Sequence, residues 1–197
     1  MIMYSESECF TRDIDWFVKI GDLYIHGASN GGILPSMITK GQNRQIQQIV
    51  AQMDYLYEDS ENEIYINKGY VEQRLERGEV LADSEAHYKE KTAVDNLSPY
   101  NAYIASFKDM ARKGFYSFDR EIVPTFYTNT QRKFQKRYVL IACPKQLQNN
   151  RLPNIDNIPE IKYKANMVCD YLKNSHKQNM SLELVNLLWE RTSKEID

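Results

Sequence analysis

The sequence predicts an α+β fold: a mixed, largely antiparallel sheet with an N-terminal β-hairpin, helices packed on it and a C-terminal helical pair. Three observations predict it. Residues 13–28 alternate in hydropathy around a two-residue turn signal, as in a β-hairpin. Residues 139–143 are a continuous apolar run, typical of an interior strand. Apolar residues at helical spacing recur between these segments and again near residue 190.

The composition is that of a folded protein with a substantial core. The chain has 197 residues, of which 42% are hydrophobic and 26% charged. We therefore expect a single α+β domain over residues 1–197. Its alternative subdivision is a sheet-containing core over 1–143 and a C-terminal helical hairpin over 160–197.

Charge, hydropathy and cysteine usage predict a soluble cytoplasmic protein without a membrane partner. The formal net charge of −2 argues against bulk electrostatic capture of nucleic acid. No apolar run reaches the ~20 residues that cross a bilayer, and the first ten residues lack the basic and apolar parts of a signal peptide. Three distant cysteines, Cys9, Cys143 and Cys169, form neither a zinc motif nor a redox motif.

The N-terminal hairpin has a definite predicted register. Gly21-Asp22 supplies the turn, since glycine readily takes a positive φ. Ile20 then lies opposite Leu23, and the pairs that follow place Trp16 opposite Gly27 and Phe17 opposite His26. The alternation of residues 13–20 predicts one buried face, the one that bears Trp16.

The remaining elements follow from changes of period along the chain. Helices are predicted over residues 43–57 and 70–77, with a short strand at 64–66 before the second of them. Ser98-Pro99 starts a further helix, and Gly114 ends it. Strands follow at 115–118, 122–128 and 134–143. A surface connection then leads to two helices, the first with an apolar stripe that starts at Ile161.

One group of polar side chains is predicted to converge at the open end of the hairpin. In this register Asp15 and His26 are diagonal neighbours within reach of a hydrogen bond. Asp13 lies one step further along, beside Ser29 and Asn30 in the loop after the second strand. These residues form the candidate site.

Two chemistries fit this group, and neither excludes a solvated strand face without a function. An aspartate that holds one imidazole nitrogen makes the other more basic, so Asp15 and His26 are the candidate catalytic pair. Alternatively, Asp13, Asp15 and His26 offer oxygen and nitrogen ligands to a divalent metal.

Two short strings resemble motifs of the poly(ADP-ribose) polymerase type of ADP-ribosyltransferases. The strings are His26-Gly27-Ala28-Ser29 and Lys113-Gly114-Phe115-Tyr116. The resemblance implies NAD as cofactor, with His26 and Ser29 near the nicotinamide ribose, Tyr116 stacked on the nicotinamide, and Asn30 as a further candidate cofactor-binding residue. The family's third motif, a glutamate, has no counterpart in residues 134–143.

Two further function classes are compatible with the sequence. Residues 132–138 interleave cations with aromatics, as single-stranded nucleic-acid binders do, although no complete recognition motif is present. A binding or regulatory module without chemistry, for a small molecule or a protein partner, is the default. The sequence names no cofactor, substrate or partner, and it does not establish whether the protein is an enzyme.

Overall fold

The computed structural model describes residues 2–32, 34–35, 37–77, 97–120 and 138–162. These ranges hold four helices and six strands, which confirms the predicted α+β class. In chain order the elements are α1 (Glu6–Thr11), β1 (Asp15–Ile20), β2 (Leu23–Ala28), α2 (Lys40–Gln52), β3 (Ile64–Ile66), α3 (Lys68–Glu76), α4 (Pro99–Arg112), β4 (Phe115–Arg120), β5 (Tyr138–Pro144) and β6 (Glu160–Ile161).

The six strands form one mixed sheet in the order β3-β5-β4-β2-β1-β6. Three neighbouring pairs are antiparallel (β1–β2, β3–β5 and β4–β5) and two are parallel (β2–β4 and β1–β6). The prediction of a mixed, largely antiparallel sheet is therefore confirmed. The strand predicted at residues 134–143 is β5, which lies inside the sheet and is buried along its whole length.

The hairpin has the register that the sequence predicts, but its burial differs. Ile20 pairs with Leu23, Trp16 with Gly27, and Phe17 with His26. The prediction of a single buried face is wrong, because every residue of β2 is buried. Helices cover the face that bears His26, and sequence alternation cannot reveal that cover.

Two apolar layers enclose the sheet. On the face of His26, residues of β2, β4 and β5 pack against α2, α3 and α4, with Phe107 and Ile46 among the helical contacts. On the other face, Trp16, Phe118 and Leu140 pack with Cys9 of α1 and with apolar residues of the segment after β2. The sheet is thus an interior layer, and polar groups on it are buried unless they lie near a strand end.

The ends of two helices show how local sequence sets their bounds. The hydroxyl of Ser98 accepts a hydrogen bond from Asn101 N at the start of α4, and Gly114 follows its end with a φ of 91°, a conformation that glycine tolerates. The predicted helix over 43–57 instead ends at Gln52. Met53 is extended there, and the amides of Leu56 and Tyr57 turn to the carbonyl of Arg112.

Two elements differ from the sequence prediction. Helix α1 was not predicted, although Ser5 and Glu8 form a capping box at its start. Ile161, predicted to begin a helical stripe, lies in β6, where it pairs in parallel with Ile20. The C-terminal helical pair, the strand at 122–128, the basic part of residues 132–138 and Cys169 lie outside the described residues.

Among the helices of the described ranges, none is both long and apolar enough to cross a membrane.

Candidate functional site at the polar end of the sheet

The strand directions bring polar residues together at one end of the sheet. The parallel strands β2 and β4 finish at this end, and β1 and β5 begin there, because each is antiparallel to its neighbour. We call this place the polar end. Its polar residues are Asp13, Asp15, Ser29, Asn30, Asp119 and Arg120.

A hydrogen-bonded row of three side chains runs across the sheet from the polar end. Nε2 of His26 lies 3.0 Å from Oδ1 of Asp15, and Nδ1 of His26 lies 2.7 Å from Oγ of Ser117. The contact between Asp15 and His26 is the one predicted from the hairpin register. Ser117 was not predicted; it is the residue of β4 paired with His26 in the parallel ladder. We call these residues the Asp–His–Ser row.

The partners fix the tautomer of a neutral His26. An ionised carboxylate only accepts hydrogen bonds, so Nε2 of His26 carries the proton and donates it to Asp15. Nδ1 of the neutral ring is then an acceptor, and the hydroxyl of Ser117 donates to it. Both nitrogens are thereby engaged within the protein.

The row is buried at one end and open at the other. The side chain of Asp15 is 51% exposed, whereas that of His26 is 2% exposed and Ser117 is fully buried. The rings of Phe17 and Phe107 lie next to the imidazole, with centroids 5.2 and 6.3 Å away. Only the Asp15 carboxylate of this row meets solvent.

Helix α2 holds the backbone at Asp15. The carbonyl oxygen of Asp15 accepts hydrogen bonds from Nδ2 of Asn43, at 2.8 Å, and from Nε2 of Gln47, at 2.7 Å. Charged or amide side chains that are fixed by packing and hydrogen bonds lose less entropy when a ligand binds. Asp15 is therefore fixed at both its backbone and its side chain.

The second carboxylate of the site, Asp13, anchors the loop after β2. Its Oδ1 accepts hydrogen bonds from the amide of Asn30, at 2.7 Å, and from the hydroxyl of Ser29, at 3.4 Å. Ser29 Oγ also accepts from the amide of Ile14, at 2.8 Å, and Ser29 is fully buried. The predicted convergence of Asp13, Ser29 and Asn30 is present, but these contacts hold the loop together.

Gly27 has a structural reason to lack a side chain. A Cβ placed on it would lie 2.3 Å from Cζ2 of Trp16, whose indole packs directly over the glycine. The indole Nε1 donates to the hydroxyl of Tyr138, 3.2 Å away. The His26-Gly27 string is thus accounted for by ring packing on the face opposite to His26.

A buried ion pair lies beside the row, on the same face of the sheet. Asp119 is two residues beyond Ser117 on β4 and pairs with Arg74 of α3. The hydroxyl of Tyr103, on α4, donates to the same carboxylate oxygen at 2.6 Å. Burial and the negative charge of Asp119 raise the pKa of Tyr103, so its hydroxyl stays protonated and remains a donor. This cluster ties two helices to the end of β4.

The two exposed carboxylates have opposite pKa shifts. Crowding by protein atoms acts to raise the pKa of Asp15, but the charge of the adjacent imidazole and its hydrogen bond lower it below the ordinary 3.8. The pKa of Asp13 is raised, mainly because protein atoms crowd its carboxylate. The hydrogen bond from the amide of Asn30 lowers the pKa, whereas the negative charges of Asp119 and Asp15 raise it further. Asp15 is therefore the stronger acid and stays ionised throughout the neutral range.

The lowered pKa of Asp15 predicts a pH-dependent contribution to stability. Ionised Asp15 stabilises the fold above its ordinary pKa of 3.8, and this contribution is lost as the pH falls through the lowered folded-state value. We expect urea denaturation to show a difference in the free energy of unfolding between wild type and Asp15→Asn that shrinks as the pH falls below about 4. Asp54→Asn, at an exposed position, should show no such trend. A stability difference between wild type and Asp15→Asn that grows on acidification would contradict the lowered pKa of Asp15.

The residues implied by the transferase resemblance do not share one face. Tyr116 precedes Ser117 on β4, and its side chain packs with Trp16 and Phe118 on the face opposite to His26. Tyr116 is 2% exposed. A nicotinamide stacked on Tyr116 would therefore not also meet His26.

The metal alternative finds no support in the described part of the chain. There, no group of three or more His, Cys, Asp or Glu side chains could hold an ion. Both nitrogens of His26 already face Asp15 and Ser117.

Comparison with known proteins adds no assignment. The chain matches no protein-family model, no curated protein and no solved structure.

Proposed function

We propose that the protein is a ligand-binding domain that recognises a cationic nitrogen group, such as a guanidinium or primary ammonium, at Asp15 and Asp13. One observation carries this proposal. The carboxylate of Asp15 projects half-exposed from the sheet while the buried His26 holds one of its oxygens. Within the described residues, Oδ2 of Asp15 and Oδ2 of Asp13 have no hydrogen-bond donor.

The chemistry of the row supports binding over catalysis. Ser117 is fully buried and His26 nearly so, which keeps both from a nucleophilic or general-base contact with a substrate. Asp15 is accessible, but its lowered pKa makes it a weak base. A rigid, ionised carboxylate is instead well suited to charge-assisted hydrogen bonds with a cationic donor.

The competing functions have less support. The NAD-dependent alternative needs His26 and Tyr116 in one site, and their side chains lie on opposite faces of the sheet. The nucleic-acid alternative depends on residues 132–137, outside the described ranges. We also infer a single domain and a reducing, cytoplasmic location, which the free, buried thiols of Cys9 and Cys143 support.

The test is isothermal titration calorimetry with agmatine, which carries a guanidinium and an ammonium group. We expect saturable binding that weakens at least about tenfold in Asp15→Asn, because one charge-assisted hydrogen bond to the ligand is replaced by a neutral one. The matched control, Asp54→Asn, removes an exposed carboxylate elsewhere and should bind like wild type. Butylurea, a neutral analogue of the guanidine head, should not bind.

Three results would overturn the proposal: no agmatine binding, equal binding by Asp15→Asn and wild type, or equal binding of butylurea. NAD and a short single-stranded RNA are titrated in parallel. Binding of either one that is unaffected by Asp15→Asn, without agmatine binding, would favour the corresponding alternative function.

A further inference from the structure

The buried end of the Asp–His–Ser row is a hydroxyl, which can both donate and accept a hydrogen bond. When His26 is neutral, Ser117 donates to Nδ1 over 2.7 Å. When His26 is protonated, Nδ1 becomes a donor, and Ser117 needs only to rotate its O–H to accept. The heavy atoms of the row can keep their places in both states.

A change of charge on His26 acts directly on the proposed ligand site. Nε2 of His26 lies 3.0 Å from Oδ1 of Asp15, so an imidazolium is one carboxylate away from a cation bound at Oδ2. Two positive charges across one carboxylate repel each other. Acidification therefore weakens cation binding, and a bound cation opposes protonation of His26.

The other charged groups near His26 also affect this balance. Asp15 of β1 and Asp13 before it are the two carboxylates of the proposed ligand site. Asp119 of β4 is paired with Arg74 of α3 and bonded to Tyr103 of α4, so its charge is offset. Helix α2 contributes the neutral amides of Asn43 and Gln47. Of these groups, Asp13 is the one whose own titration could also weaken binding on acidification, because its pKa is raised.

We infer that the Asp–His–Ser row makes cation binding at the polar end proton-linked, with His26 as the titrating group and Ser117 as the positioning residue that accommodates both of its protonation states. This inference rests on the proposed function. Histidine is the side chain whose charge ordinarily changes between pH 5 and pH 8.

The test measures the Kd of agmatine at pH 8 and at pH 5.5 in five proteins. We expect wild type to bind roughly tenfold more weakly at pH 5.5, as the coupling of two like charges across one carboxylate implies. Asp13→Asn should bind more weakly at both pH values but keep the same ratio of the Kd at pH 5.5 to the Kd at pH 8. His26→Gln, which keeps an amide donor for Asp15, should lose it. Ser117→Ala should change the ratio of the two Kd values. Ser117→Thr keeps a hydroxyl at this position and should show the wild-type ratio.

An NMR titration of the wild-type protein provides a second readout that needs no variant. By reciprocity, saturating agmatine should move the midpoint of the His26 ring signal to lower pH by about one unit for a tenfold linkage. The inference would be overturned if the Kd of agmatine were equal at both pH values. It would also be overturned if agmatine left the midpoint of the His26 signal unchanged. In either case the proposed function would stand. Loss of the ratio in Asp13→Asn would assign the linkage to Asp13 and overturn the role of His26. Absence of agmatine binding at pH 8 would overturn both proposals.

Discussion

Replacement of Arg74 by methionine is expected to lower the free energy of unfolding by about 3–5 kcal/mol. Arg74 is 1% exposed and Asp119 is 4% exposed, so the ion pair between them lies in the interior. Without the guanidinium, the carboxylate of Asp119 keeps only the hydroxyl of Tyr103 as a described hydrogen-bond donor. An isolated buried charge costs far more than the pair itself contributes. Urea denaturation followed by circular dichroism measures the loss.

Two companion variants separate the buried charge from the lost side-chain packing. Arg74→Met combined with Asp119→Asn should recover much of the stability, because no uncompensated charge then remains. Lys68, at the start of the same helix as Arg74, forms an exposed ion pair with Glu61, and Lys68→Met should leave the stability nearly unchanged because exposed ion pairs contribute little. A loss below about 1 kcal/mol in Arg74→Met would show that the buried pair is not needed to hold α3 on the sheet.

Replacement of Gly27 by alanine is expected to destabilise the fold by about 3 kcal/mol, at the upper end of the range for overpacked cores. The added methyl would lie 2.3 Å from Cζ2 and 2.4 Å from Cε2 of Trp16. The indole cannot swing away, because Trp16 is 1% exposed and its Nε1 donates to Tyr138. The shift in the midpoint of urea denaturation, with the slope unchanged, measures the effect.

Gly41 provides the matched control for this substitution. A Cβ on Gly41 meets no atom within 4 Å, and the residue lies in the first turn of α2. Gly41→Ala should therefore be neutral or slightly stabilising, since alanine has the higher helix propensity. If Gly27→Ala proved as benign as Gly41→Ala, the packing of Trp16 against the strand would not constrain this position.

The sequence was sufficient to predict the contact between Asp15 and His26. Both residues lie in one hairpin, and the turn at Gly21-Asp22 fixes the pairing of every residue between them. Local information of this kind also places the start of α4 at Ser98 and predicts the short strand at Ile64–Ile66. The capping box of Ser5 and Glu8 would equally have revealed α1.

The rest of the site depends on pairings between distant parts of the chain. Ser117 meets His26 across 91 residues, through the parallel alignment of β2 with β4. Arg74 meets Asp119 across 45 residues. No turn or periodicity specifies these partners, because they depend on how separate elements pack. For the same reason, sequence alternation did not reveal that helices bury the face of His26.

The strand order has a consequence for how the sheet assembles. Among the strands of the described residues, β3 pairs only with β5, and β5 begins more than 70 residues after β3. Strand β6 joins β1 from still further along the chain, between Ile161 and Ile20. Contacts between residues so distant in sequence close large loops and slow folding. During synthesis the hairpin can form at once, whereas the pairing of β3 with β5 has to wait until Tyr138–Pro144 has been made. The pairings at the two ends of the described strand order, β3 with β5 and β1 with β6, therefore form late.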